Sequence, residues 1–115
     1  MHSVQANLID PRLEAAVLRA LRPSGAGDTL RMAAMGGFSL PQVLDRVPSS
    51  VALELTKNPD NPILARRDGI AALVLILNAL EDQGRVRRGR VRMKNALVDS
   101  WRLSLRALAR EGIGG

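Results

Sequence analysis

GRVRRGRVRM, residues 84–93, places five arginines in ten positions with no acid among them. A helix through this stretch would hold Gly89 in its interior, at a cost of about 1 kcal/mol relative to alanine. Its apolar residues, Val86, Val91 and Met93, form no continuous helical stripe. A β-hairpin fits better. With Arg88-Gly89 at the turn, Arg87 faces Arg90, Val86 faces Val91 and Arg85 faces Arg92. Side chains alternate faces along a strand, so both valines fall on one side of the ribbon and four arginines on the other. Gly89 supplies the positive φ that a tight hairpin turn needs. A basic hairpin over 84–94 is therefore expected. Like charges opposed across strands are unfavourable, so these arginines read as binding residues: a phosphate backbone relieves the repulsion and releases counterions. A charged edge that blocks sheet aggregation would need only a lysine or two.

The charge of the whole chain agrees. Its 115 residues, enough for one domain, carry a formal net charge of +6. Residues 1–83 hold eight basic and nine acidic side chains, whereas residues 84–115 hold nine basic and two acidic. A neutral body with a cationic end points to a polyanion, nucleic acid above all. The expected nucleic-acid contacts are Arg85, Arg87, Arg88, Arg90, Arg92, Lys94, Arg102, Arg106 and Arg110. Phe38 and Trp101 are the only aromatic residues, too few for the stacking platforms of single-strand binders, so duplex DNA is the expected form.

Other chemistries find little support. There is no cysteine, hence no disulfide or thiolate metal site, which suits a reducing, cytoplasmic setting. His2 is the sole histidine, and Glu81 and Asp82 are adjacent and point apart on a helix, so no enzyme, metal or cofactor is expected. SGAGDT (24–29) lacks the lysine of a phosphate-binding loop and reads as an interhelical connection. MHSVQANLIDP lacks the basic and apolar regions of a secretory signal. IAALVLILNAL (70–80) is too short to span a bilayer and reads as a buried helix, so no membrane partner is expected.

Asp10-Pro11 marks a helix start, and Leu13, Ala16, Val17, Ala20 and Leu21 follow one helical face up to Pro23. A short helix is expected over 29–35, before Gly36-Gly37. Ser39 and Gln42 have capping-box spacing, with Leu40, Val43, Leu44 and Val47 on one face and Pro48 closing it. Ser49 and Ser50 can cap a further helix over 51–57. NPDNPILARRDG (58–69), with two prolines, reads as irregular. Asp68 can cap a helix over 70–83, apolar all round and therefore central in the core, which ends at Gly84. A last helix, 95–110, places Leu97, Trp101, Leu105 and Leu108 on one face and Asp99, Arg102, Arg106 and Arg110 on another. The expected fold is one mainly α domain over 1–115: a helical core (10–83), a basic hairpin (84–94) and a C-terminal amphipathic helix (95–110).

LNALEDQGRVRRGRVRM (77–93) resembles the end of a winged helix-turn-helix domain, where a core helix stops at a glycine and a basic hairpin, the wing, follows. SLPQVLDRVPSSVALELTK (39–57) resembles the helix-turn-helix pair. The two stretches cover about a third of the chain, and the resemblance implies a winged-helix-like DNA-binding protein of transcription regulation or DNA maintenance, in a bacterium, phage or plasmid. In that family the helix before the wing usually enters the major groove. Here it is apolar and ends in Glu81 and Asp82, while 51–57 offers only Glu54, Thr56 and Lys57. Phosphate contact is thus expected rather than base readout. The alternative is a protein-interaction module, or a small subunit of a larger nucleoprotein assembly, that docks its basic end on an acidic partner. A homodimer is compatible with either.

Overall fold

In the computed structural model, which describes residues 10–28, 30 and 36–110, Asp10 opens the first helix, α1 (Pro11–Ala20). Its carboxylate accepts from the Arg12 amide at 2.8 Å, and Pro11 stands at the helix start, where its missing N–H leaves no bond unmade. Val17, Leu18, Ala20 and Leu21 are buried. The helix expected over 29–35 lies outside the described residues (Leu30 aside), as do His2 and the last five residues, but residues 26–28 and 30 are helical, so SGAGDT (24–29) is only in part the interhelical connection expected. Ser39 precedes α2 (Leu40–Arg46), and the Gln42 side chain accepts from the Ser39 amide at 2.9 Å, closing one arm of the capping box. After Pro48 comes α3, Ser49–Glu54, which starts and ends slightly earlier than the 51–57 expected.

The segment 58–69 corrects the sequence reading. It is helical from Pro62 onward: α4 spans Pro62–Asp82. Asn61 caps it, its side-chain oxygen accepting from the Ile63 and Leu64 amides at 3.1 and 3.2 Å. This repeats the Asp10-Pro11 device, in which proline at the first helical position starts a helix instead of breaking it. Asp68 is therefore interior and not a cap. Its carboxylate accepts from the Thr56 hydroxyl (2.9 Å), the Lys57 amide (3.3 Å) and the Asn58 side-chain amide (3.0 Å), strapping the α3–α4 connection to α4. Gly69 is buried against Leu44, where an added Cβ would stand 3.1 Å from a leucine methyl. Close approach of α2 and α4 offsets the usual helical cost of glycine.

The helices α1, α2 and α3 pack on α4, and so does the strand that follows it. Leu73, Ile76, Leu77 and Leu80 are buried. Although apolar all round, α4 is not covered all round: Ile63, Ala71 and Leu75 are exposed. It ends as expected at Gly84, whose φ of +75° carries a left-handed cap. The Gly84 amide donates to the Glu81 carbonyl and the Arg85 amide to the Leu80 carbonyl, both at 2.9 Å, the paired bonds of a Schellman ending.

Past Gly84 the expected boundaries change. β1 (Val86–Met93) pairs antiparallel with β2 (Ala96–Leu103), and only Leu105–Arg110 is helical, as α5. The turn is Lys94-Asn95, both with positive φ (48° and 68°), as a two-residue hairpin of matching twist requires. The arginine stretch is thus one strand of a longer hairpin, neither a hairpin turning at Arg88-Gly89 nor a prelude to a helix over 95–110. Leu97, Trp101 and Leu105 are four apart, a spacing that satisfies both the helical face and the two-residue repeat of a strand. Leu103 breaks the tie. It is buried together with Trp101 and Val86, as alternation along a strand demands. Beyond β2, on the edge away from β1, Phe38 exchanges two backbone hydrogen bonds with Trp101, both 2.8 Å.

Gly37 (φ +138°) sits so near this bridge that a Cβ would overlap the Trp101 carbonyl. Gly37→Ala should therefore lower stability by about 2 kcal/mol or more, read as a drop in denaturation midpoint; an unchanged midpoint would show that the bridge contributes nothing. A second expectation concerns pH. Asp68 lies below the ordinary carboxylate range, chiefly through the bonds from Asn58 and Thr56. A depressed folded pKa adds stability above the unfolded value of about 3.9 and loses it as pH falls through the folded value. The loss of stability in Asp68→Ala, measured against wild type by thermal melting, should be larger at neutral pH than in acid.

Candidate nucleic-acid interface

The register of the hairpin decides which arginines can meet a ligand. On the core side stand the pairs Val86–Leu103, Arg88–Trp101, Arg90–Asp99 and Arg92–Leu97. On the other side stand Arg87–Arg102, Gly89–Ser100 and Val91–Val98. The expected division, valines on one face and arginines on the other, is therefore corrected. Val86 and Val91 fall on opposite faces, because the turn lies at Lys94-Asn95 and not at Gly89. Among the expected like-charge oppositions, Arg87–Arg90 and Arg85–Arg92 do not occur, and a new one, Arg87–Arg102, takes their place.

Two of the expected ligands are met by the chain's own acids. The Arg88 guanidinium lies 5.4 Å from the centroid of the Trp101 ring and reaches Glu81 at 3.6 Å and Asp99 at 3.9 Å. Arg90 reaches Asp99 at 3.6 Å. These pairs are partly exposed and long, of the kind worth about 0–1 kcal/mol. They still lower the net field of the core-side face, so Arg88 and Arg90 do not belong with the unpaired cations. Arg85 is half-buried at the foot of the hairpin, with a long bond to the Gln83 side chain (3.5 Å) and a carbonyl that accepts from the Ser104 amide (3.0 Å).

Arg87, Arg92, Lys94, Arg102 and Arg106 are exposed, and none has an ion-pair partner among the described residues. Arg92 and Lys94 mark the hairpin tip, Arg87 and Arg102 oppose each other near its foot, and Arg106 follows on α5. Arg110 belongs to α5, and its side chain lies outside the described residues. The foot itself is rigidly placed by Val86, Trp101 and Leu103 in the core and by Ser104, whose hydroxyl accepts from the Ala107 amide at 3.1 Å and caps α5.

Two features escaped the sequence reading. Asp99 is an internal counter-ion of the hairpin; its role becomes visible once the Lys94-Asn95 turn sets it across from Arg90. Arg46 is a structural arginine: it donates to the Ala20 and Arg22 carbonyls, pairs with Asp28 at 3.2 Å and lies 4.3 Å over the Phe38 ring. Asp28 also accepts from the Ser24 amide and hydroxyl (3.0 and 2.8 Å), which hold its carboxyl below the ordinary range. Residues 26–28 are helical, so Ser24 and Asp28 bond to each other across a helix start, and Asp28 ties that start to Arg46. Among the described residues no cluster of His, Cys, Asp or Glu could hold a metal, and no helix is long and apolar enough to cross a membrane. Comparison with protein-family models, curated proteins and solved structures finds no match to this chain.

Arg102→Glu converts the like-charge opposition with Arg87 into an attractive one. Thermal stability at low salt should stay level or rise by about 0.5 kcal/mol, and the gain should fade at high salt. A marked fall would mean that Arg102 holds the hairpin together.

Proposed function

We propose that the domain binds duplex nucleic acid, DNA in the first place, by phosphate contacts from the hairpin, in the manner of a winged helix. The observation that carries this reading is the Arg87–Arg102 opposition: two exposed cations held across from each other by the β ladder, without a counter-ion among the described residues. Such a pair opposes folding slightly and gains only when an anion lies between or beside it. Arg92 and Lys94 extend the same charge to the tip, and Arg106 continues it beyond the foot. The order of elements also supports a winged-helix reading. Phe38 borders β2, two short helices follow, and a long helix ends at a glycine directly before the hairpin. Transcription regulation or DNA maintenance is the setting this binding mode fits. Base readout is not part of the proposal, since α4 ends in Glu81 and Asp82.

The test is binding of the full chain to random-sequence duplex DNA across a salt series. Five phosphate contacts would give log K against log salt a slope of about −4 to −5. Arg87→Ala and Arg92→Ala should each flatten it by about 1, and the Arg87→Glu, Arg102→Glu double variant should abolish binding with the fold intact. Arg88→Ala, removing a residue already paired, should have the smaller effect. Absence of binding even at low salt would overturn the proposal in favour of an acidic protein partner.

A further inference from the structure

The outward side of α4 is an apolar face that the fold leaves uncovered. Ala71 and Leu75 are exposed (Leu75 at 67%), and Val74 is half-buried beside them. Asn78 continues the same side one turn on, in keeping with the helical repeat. The face is bounded by a cation at one end, Arg67, and an anion at the other, Asp82. Both are exposed, and neither has an ion-pair partner among the described residues.

We propose that this face is a homodimer interface, in which α4 packs antiparallel on α4 of a second copy about a twofold axis between Val74 and Leu75. A twofold interface must be self-complementary: if residue i meets j, then j meets i. Arg67 and Asp82 lie equally far along the chain from that axis, about 11 Å each way at the helical rise per residue. An antiparallel pairing therefore sets Arg67 against Asp82 of the second copy, twice. It also sets Val74 against Leu75 and Ala71 against Asn78. A parallel pairing would oppose Arg67 to Arg67 and Asp82 to Asp82, which fixes the direction. The small Ala71 allows the helices to come close. The chain's charge division favours the same approach, because residues 1–83 are close to neutral and two copies can meet there without the repulsion that the cationic ends would impose. Nucleic acid is a poor occupant of this face, given its apolar centre and its acidic end. The inference does not rest on the nucleic-acid reading.

Sedimentation equilibrium of the full chain without nucleic acid tests it. A reversible monomer–dimer equilibrium is expected. Leu75→Glu should raise the dimer dissociation constant at least about tenfold, while circular dichroism and melting show a folded monomer. Arg67→Glu and Asp82→Arg should each weaken the dimer by about threefold to tenfold, and the double variant carrying both should restore most of the loss. A chain that stays monomeric at every concentration would overturn the proposal. So would a dimer indifferent to Leu75→Glu, or a charge swap that fails to rescue. Loss of DNA binding in the hairpin variants has no bearing on these outcomes.

Discussion

The position of Trp101 governs the rest of the structure. Its backbone N–H and C=O are both bonded to Phe38, its ring is buried at 2% exposure, and the Arg88 guanidinium lies over it. A buried tryptophan removes some 150–250 Å² from water, worth at most about 4–6 kcal/mol by area. That is comparable to the whole net stability of a small domain. The same residue ties together three pieces distant in sequence: the segment before α2, the second strand of the hairpin and, through Arg88, the first. Because its backbone bonds point to Phe38, its position opposite Arg88 is a non-hydrogen-bonded site, where cross-strand side chains come closest. The stacking of Arg88 on the ring follows from that geometry.

From this joint the hairpin projects as a cantilever. Its foot shares the core with α4, α2 and α1 through Val86, Leu103 and Phe38, while Arg92, Lys94 and Leu97 at its far end are exposed. Two-stranded ribbons are marginal alone, so the length of exposed ribbon is set by how firmly its foot is held. The charge divides by pairing and not by distance from the foot. Glu81 and Asp99 answer Arg88 and Arg90, whereas among the described residues no acid answers Arg87 and Arg102 near the foot or Arg92 and Lys94 at the tip. Neutralisation at two of the arginines limits repulsion within the fold, and its absence at the others leaves a field that reaches solvent.

Much of the helical part was legible in the sequence. Asp10-Pro11, the Ser39/Gln42 box and the Gly84 stop each encode a local hydrogen-bonding arrangement, and local rules suffice for those. Asn61-Pro62 obeys the same rule as Asp10-Pro11, yet the neighbouring Pro59 and Gly69 masked it. Whether Gly69 breaks a helix depends on Leu44, a contact twenty-five positions away that no local pattern contains. The hairpin was legible as a kind of element but not in its register. Lys94-Asn95 is a weak turn signal beside the glycine at 89, and a spacing of four residues cannot tell helix from strand. That one shift of the turn moved Val91 across the ribbon and dissolved two like-charge pairs while making another, because the side-chain repeat of a strand is two.

The consequence for the site is more than a change of partners. A hairpin turning at Gly89 would have gathered four of its five arginines on one surface, with repulsion as the sole force between them. In the observed register, the basic strand faces a mixed strand that supplies an acid, an aromatic ring and a further arginine. Arginines of the same stretch thereby acquire different physical roles. Arg88 contributes to packing through a ring and two loose ion pairs, Arg90 is balanced, and Arg87 is opposed by a like charge. Counting basic residues along the chain treats them as equivalent, but the ladder separates them by what stands opposite. The residues fitted to receive an anion are those whose cross-strand or chain neighbours offer no negative charge, and that property belongs to the pairing rather than to the sequence of either strand alone.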